Sequence, residues 1–134
     1  MPEIARIQMD YSKYRLVRAK EDFHTAQLLF LNGEYRAANN RAYYSIFHAL
    51  RAVLVFDNFD TKKHSGIIAE FRKRYIKTGL LPVEISKMIG AAFTVRNASD
   101  YDDMFIASIA DTEAQIKNAA FVINEVEKYI NTLL

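Results

Sequence analysis

The sequence predicts an all-α fold, an up-and-down bundle of four long helices and one short helix. Apolar residues recur at steps of three and four along most of the chain, and no segment sustains the alternation of a strand. Only 4 glycines and 2 prolines occur, and most stand at expected helix ends. The 134 residues suit one domain, 1–134, with 1–10 as an N-terminal extension.

The first two helices are predicted to form an antiparallel hairpin. The first runs from about residue 11 to 31, where one apolar stripe follows the helical period. Asn32-Gly33 ends it, and so short a turn makes the next helix an antiparallel neighbour. The second, about 34–56, is apolar nearly all round, which is typical of a central helix.

The remaining helices are predicted from their end signals. Ser65 is the expected N-cap of a short basic helix, and Gly79 ends that helix. Pro82 opens the fourth helix, which should end near Asn97. Ser108, with an acid three residues later, is a variant of the capping box and opens the last helix.

Charge is unevenly distributed. The net charge of +2 is too small to identify a nucleic-acid binder. Residues 62–77 carry six basic side chains against one acid, whereas residues 100–134 carry seven acids against two lysines. Such a pattern fits a face that docks an anion, a pairing of two subunits, or two solvated helix faces.

The chain contains no cysteine, which excludes disulfides and thiolate metal sites and fits the cytoplasmic location that we expect. Its N-terminus has an early acid and no apolar core, unlike a signal peptide. The longest uncharged apolar run, around residues 52–56, is far shorter than the ~20 residues that span a bilayer.

Two polar segments, residues 40–49 and 96–101, interrupt the apolar pattern. Buried charges are costly unless paired, so such segments form either a satisfied internal network or a site. In the first segment Arg41, Tyr44 and His48 follow one another at helical steps, although a lone histidine there is often a hydrogen-bonded interior residue.

In the second segment an arginine stands near the predicted end of a helix. There Arg96 would offer its planar guanidinium to a phosphate, and Lys63 and His64 would add to the positive field. The structural alternative has Asn97 capping the helix while Asp100 pairs with Arg96 or Arg41.

Several enzyme classes lack support. A di-iron bundle needs two Glu-x-x-His motifs, and the chain has one, Glu21 to His24. There is no Gly-x-Ser-x-Gly elbow and no glycine-rich phosphate loop. We therefore expect no metal and no other cofactor.

The order of elements, together with four stretches of sequence, resembles the HEPN domain family. The stretches are Asn40-Arg41-Ala42-Tyr43-Tyr44-Ser45-Ile46-Phe47-His48-Ala49, Lys63-His64-Ser65-Gly66, Arg96-Asn97-Ala98-Ser99-Asp100-Tyr101 and the closing amphipathic helix. The resemblance covers about residues 11–129 and is nearest to the small stand-alone prokaryotic branch whose arginine motif ends in Asp-Tyr.

The resemblance implies an all-α bundle that forms a homodimer. Many such proteins are encoded beside a minimal nucleotidyltransferase and act with it as a toxin–antitoxin pair. The resemblance further implies that active members are metal-independent endoribonucleases. Their motif is an arginine, a polar residue and a later histidine. In the dimer the two motif copies converge into one cleft.

On this motif Arg96 is the arginine and Asn97 its polar neighbour, whereas Tyr101 stands near the position of the histidine. Histidine suits proton transfer near neutral pH, so His48 or His64 is a candidate replacement. The catalytic residues predicted from the resemblance are Arg96, Asp100 and His48. The predicted RNA or nucleotide contacts are Arg41, Tyr44, Lys63, His64, Asn97 and Tyr101.

Functions of different classes stay open at this point. One is RNA or nucleotide binding, with or without cleavage, linked to a nucleotidyltransferase-type partner. Another is a catalytically inactive interaction or dimerisation module in which Arg96, Asp100 and Arg41 form a structural ion network. A third is sensing of a small molecule or nucleotide, with a base stacked on some of the 8 tyrosines and 9 phenylalanines.

Overall fold

The computed structural model describes residues 3–102 and 106–133, apart from the side chains of Asp100 and Tyr101. Within these ranges the chain is helical and contains no strand, which confirms the predicted all-α bundle of four long helices and one short helix. The helices are α1 (Glu3–Leu31), α2 (Tyr35–Leu54), α3 (His64–Phe71), α4 (Glu84–Tyr101) and α5 (Ile109–Thr132).

Helix α2 is the central element, as its nearly all-round apolar sequence predicts. It packs against α1, α3, α4 and α5. Ile46, Leu50 and Val53 on α2 are almost completely buried, together with Phe71 of α3 and Val122 of α5. Burial of side chains of this size supplies most of the favourable free energy of folding.

Helix α1 begins at Glu3, so the prediction of a start near residue 11 was wrong, and residues 3–10 are helical. Polar contacts that the apolar pattern does not reveal hold this part of α1 against the end of α2 and the segment that follows it. The side-chain amide of Gln8 donates to Asn58 Oδ1 at 2.8 Å, and the Ser12 hydroxyl donates to the carbonyl of Ala52 at 2.8 Å.

The N-cap prediction holds for one serine and fails for the other. Ser108 is the N-cap of α5, and its hydroxyl accepts the backbone N–H of Asp111 at 3.0 Å. Ser65 is the second residue of α3, whose N-cap is Lys63. The carbonyl of Lys63 already accepts the first hydrogen bonds of the helix, from the backbone N–H groups of Gly66 and Ile67.

Helix α3 continues without a break into a π-helical turn, Arg72–Ile76. The backbone N–H of Lys77 donates to the carbonyl of Arg72 at 2.9 Å, five residues back. This wider turn faces Tyr75 inward, where its hydroxyl donates to the Val53 carbonyl at 3.3 Å and to the Asp57 carboxylate. Gly79, at φ +76°, follows it.

Helix α4 ends at Tyr101, so the predicted end near Asn97 was wrong, and Asn97 is not a cap. The arginine of α2 that lies beside this end, Arg36, explains the extra turn. Its Nε donates to Ser99 Oγ and its Nη2 to the carbonyl of Asp102, each at 3.0 Å. A cation that binds the last carbonyls stabilises a helix C-terminus. Arg96 therefore lies inside α4, more than a turn before its end.

Candidate functional site

Arg96 lies on α4 against two tyrosines of the central helix. Its guanidinium carbon is 5.1 Å from the centre of the Tyr43 ring and 5.7 Å from that of Tyr44. Its Nη2 is also 3.5 Å from the Tyr44 hydroxyl. Cation–π contacts within about 6 Å are attractive, so the two rings hold the guanidinium in a fixed, half-buried position.

His64, the first residue of α3, completes this group. Its Nδ1 lies 2.7 Å from the Tyr43 hydroxyl, and its ring stacks on Phe47 with centroids 4.1 Å apart. We call Arg96, Tyr43, Tyr44, Phe47 and His64 the Arg96 cluster. It brings α2, α3 and α4 together at one place on the bundle.

The protonation states in the Arg96 cluster follow from burial and from Arg96. Burial raises the pKa of Tyr43 to about 12, against the opposing effect of the Arg96 charge, so the phenol is neutral. Burial, and then the charges of Arg96 and Arg51, lower the pKa of His64. Its imidazole is therefore neutral at pH 7 and has a ring nitrogen that is able to accept a proton.

A second polar group lies between α1 and α2, and we call it the Asp22 cluster. Asp22 is buried; its Oδ1 accepts Nη1 of Arg41 at 3.2 Å, and its Oδ2 lies 3.6 Å from Nε2 of His48. On the other side of the imidazole, Nη1 of Arg15 is 3.4 Å from Nδ1 of His48. An arginine only donates, so Nδ1 accepts and the ring proton is on Nε2, which is too far from Asp22 Oδ2 for a hydrogen bond.

His48 is consequently uncharged. Burial, followed by the charges of Arg15, Arg18, Arg51 and Arg41, lowers its pKa to about 4. The Tyr44 ring joins the two clusters, because the Arg41 guanidinium carbon is 5.0 Å and that of Arg96 5.7 Å from its centre.

The sequence matches a family model over most of its length. The model describes the HEPN domain and covers residues 12–129. The chain belongs to the HEPN domain family. This confirms the resemblance on which the site residues were predicted.

Curated relatives agree with this assignment. A UPF0332 protein of Thermotoga maritima is 31% identical over 116 residues, 87% of this chain and 88% of that one. "Putative toxin MJ0142" of Methanocaldococcus jannaschii is 30% identical over 84% of this chain and 77% of its own length. "Putative toxin MJ0605" of the same archaeon is 30% identical over 87% and 86%.

The HEPN domain brings some of the predicted site residues together and separates others. Arg96, Tyr44 and His64 share the Arg96 cluster, and Arg41 borders it through the Tyr44 ring. His48 lies in the Asp22 cluster instead.

Lys63 is exposed beside His64, and Asn97 is half-buried on α4 next to Arg96. The side chains of Asp100 and Tyr101 lie outside the described residues. The catalytic and binding roles of all these residues stay predictions.

Four cluster residues were missed from the sequence. Tyr43 and Phe47 were interpreted only as apolar core, although Tyr43 carries a hydroxyl within the polar segment 40–49. Asp22 and Arg15 were not singled out. The sequence did contain a signal for Asp22. It lies three residues after Ala19 and four before Ala26, so an acid occupies a position of the apolar stripe of α1.

Two further features concern metals and membranes. Among residues 3–102 and 106–133, the side chain of Asp100 excepted, no three side chains of the His, Cys, Asp and Glu types are grouped as a metal site would require. No helix within the same ranges combines the length and the apolar character that a bilayer crossing needs. That the protein works without a cofactor stays a prediction.

Proposed function

We propose that this HEPN domain protein binds RNA, or a nucleotide, at the Arg96 cluster, in a cleft that a second copy of the chain completes. The observation that carries the proposal is the convergence of Arg96 with His64 across the ring of Tyr43. It combines a phosphate-binding cation, a neutral imidazole and aromatic faces on three helices.

The chemistry of this group suits a nucleic-acid backbone. A guanidinium grips a phosphate through parallel N–H donors, and it does so with less loss of entropy when its position is already fixed. Arg96 is fixed by the rings of Tyr43 and Tyr44. The exposed Lys63 beside His64, and the exposed Lys73 further along, add positive charge that attracts an anion.

If the site cleaves RNA, the groups present fit a reaction without metal. The ribose 2′-oxygen would attack the adjacent phosphorus and the bond to the 5′-oxygen would break, which gives a cyclic phosphate and a free 5′-hydroxyl. His64, neutral and in the same cluster, would accept the 2′-hydroxyl proton and pass it to the departing 5′-oxygen, while Arg96 would stabilise the charge on the phosphorane. Asp100 and His48 are the other candidates for moving protons.

The test compares wild type with Arg96→Ala on a fluorescein-labelled stem-loop RNA in EDTA. We expect binding to weaken at least tenfold, since one lost phosphate contact costs about 1–3 kcal/mol, and any cleavage to disappear. Arg6→Ala removes an equal charge from an exposed position of α1 and should change binding much less. Equal binding by Arg96→Ala and wild type would overturn the proposal.

The second copy and the partner need separate tests. Light scattering should give twice the chain mass in solution. A toxin role, which the names of two relatives support, predicts that expression of the wild type arrests growth and that of Arg96→Ala does not. We further propose a nucleotidyltransferase-type partner, whose co-expression should relieve the arrest.

A second candidate function is an interaction module without catalysis, and the Asp22 cluster favours it. There an arginine of the polar segment 40–49 pairs with a buried carboxylate, and a histidine of the same segment lies beside that carboxylate. Thermal melting of Arg96→Ala separates the two functions. A large drop in Tm supports scaffolding, whereas an unchanged Tm with lost RNA binding supports the ligand site.

A further inference from the structure

A small groove lies between α3 and α4, directly beside the Arg96 cluster. Its volume is about 210 Å³, and its lining includes Ser65, Ile68, Arg72, Ile89, Gly90 and Phe93. It adjoins the cluster, because Ser65 follows His64 and the Phe93 ring lies 6.4 Å from that of Tyr43. Phe93 is also three residues, nearly one helical turn, before Arg96.

Gly90 is unusual because it lies in the interior of a helix without a structural need for glycine. Glycine is less stable there than alanine. A Cβ atom at Gly90 would meet only Nη2 of Arg72, at an ordinary contact distance of 3.6 Å. Neither backbone conformation nor packing therefore requires glycine, and its effect is to leave the wall of the groove open.

Arg72 provides a fixed polar edge to the groove. Its Nε donates to Ser86 Oγ and its Nη2 to the Ser86 carbonyl, each at 3.0 Å. These two bonds set the plane of the guanidinium, and Nη1 makes no hydrogen bond to any residue that the structure describes. Arg72 thus presents oriented donors at the rim of an apolar cleft.

We propose that this groove holds a nucleobase of the nucleotide whose phosphate is bound at Arg96, an inference that rests on the proposed function. The base stacks on Phe93 above the apolar side chains of Ile68 and Ile89. It turns a carbonyl oxygen or ring nitrogen toward Arg72. Proteins that read single-stranded RNA combine aromatic stacking with donors to base edges in this way.

The dimensions of the groove fit one base. Pockets that bury drug-sized ligands have volumes of about 300–1,000 Å³, and 210 Å³ is below that range. The neighbouring residues Ile68 and Ile89 are buried and form the apolar floor of the groove. A single ring system, with its ribose and phosphate outside, fits a cleft of this volume.

The test measures binding of two fluorescein-labelled probes, each ten nucleotides long. One is single-stranded oligouridylate, and the other is a ribose-phosphate chain of equal length without bases. Gly90→Leu fills the groove, and Gly90→Ala fills it partly. We expect Gly90→Leu to weaken binding of oligouridylate about tenfold or more and that of the abasic probe less than twofold. Ala114→Leu adds the same side chain at an exposed position of α5 and should change neither.

Gly90→Ala also guards against misfolding as the explanation, since we expect its Tm to rise while its affinity for oligouridylate falls. Arg96→Ala should weaken both probes, because it removes a phosphate contact. If Arg96→Ala weakens binding but both Gly90 variants bind oligouridylate like wild type, the base site is wrong and the proposed function stands. If wild type and Arg96→Ala bind the probes equally well, or if neither protein binds them, both proposals fail.

Discussion

The hydroxyl of Tyr43 and Nδ1 of His64 lie 2.7 Å apart, a hydrogen bond that joins the central helix to the start of α3. We expect Tyr43→Phe to lower the free energy of unfolding by about 1 kcal/mol, since it removes this bond and keeps the ring. We also expect weaker RNA binding or cleavage, because the imidazole loses the partner that orients it. Urea unfolding and the stem-loop RNA assay measure the two effects.

Tyr44→Phe is the matched control for this prediction. The Tyr44 hydroxyl lies 3.5 Å from Arg96 Nη2, a longer and weaker contact. Its removal should cost clearly less stability than that of the Tyr43 hydroxyl. A larger effect from Tyr44→Phe would contradict the importance given to the Tyr43–His64 bond.

The stability of the protein should fall on acidification because of His48. Its pKa is about 4 in the folded chain and about 6.5 in an unfolded one. The unfolded chain thus takes up a proton that the folded chain excludes, and stability is lost as the pH falls from 6.5 through 4. We expect the titration of His48 to lower the free energy of unfolding by about 2 kcal/mol between pH 7 and pH 5.

The measurement is urea unfolding of wild type and His48→Gln at pH 7 and pH 5. Glutamine keeps polar atoms beside Asp22 and Arg15 but does not titrate, so the variant should lose less stability than wild type over this interval. An identical loss in the two proteins would show that His48 does not carry the pH dependence.

Because the two partners of the Asp22–Arg41 ion pair differ in exposure, removing one should cost more stability than removing the other. Arg41→Leu leaves a carboxylate that is only 10% exposed without its nearest cation, and should cost about 3 kcal/mol. Asp22→Asn should cost less, because the remaining arginine is 38% exposed and water solvates it. The double variant Arg41→Leu, Asp22→Leu should be more stable than Arg41→Leu alone.

Binding assays on the same variants decide whether Arg41 also contacts RNA, as the sequence predicts. Asp22→Asn retains the arginine and should bind stem-loop RNA like wild type, whereas Arg41→Leu should bind it more weakly. Equal binding by both variants would leave Arg41 with a structural role only.

The two serines predicted as N-caps provide a test of local structure. Ser108→Ala should cost about 1 kcal/mol, because the hydroxyl accepts the Asp111 N–H at the start of α5. Ser65→Ala should be nearly neutral in stability, since Ser65 is exposed within α3 and is not its cap. Thermal melts compare them, and a greater loss in Ser65→Ala would contradict the cap assignment.

The positions of the helices were largely predictable, and their ends were not. Apolar periodicity identifies the face that each helix buries, which is why the order of helices and the central place of α2 were correct. The end of α4 depends on Arg36, which lies more than sixty residues earlier and binds Ser99 and the Asp102 carbonyl. No local signal around Asn97 contains that contact.

The candidate site was predictable in part for a similar reason. Motif spacing identified Arg96 and His64 because charged and titratable residues stand out against an apolar pattern. Their connection runs through Tyr43, an aromatic residue that sequence analysis assigns to the core. The separation of His48 from His64 depends on which side of α2 faces α1, and only the packed structure decides that.

The π-helical turn at Arg72–Ile76 gives this region an unusual sensitivity to chain length. Deletion of one residue there would permit an ordinary α-helical turn, but it would draw the chain after the turn toward α3 by about 1.5 Å, the rise of one residue. Tyr75 would then leave its bonds to Val53 and Asp57. Length variants in this short stretch should therefore be far more harmful than substitutions of its exposed lysine, Lys73.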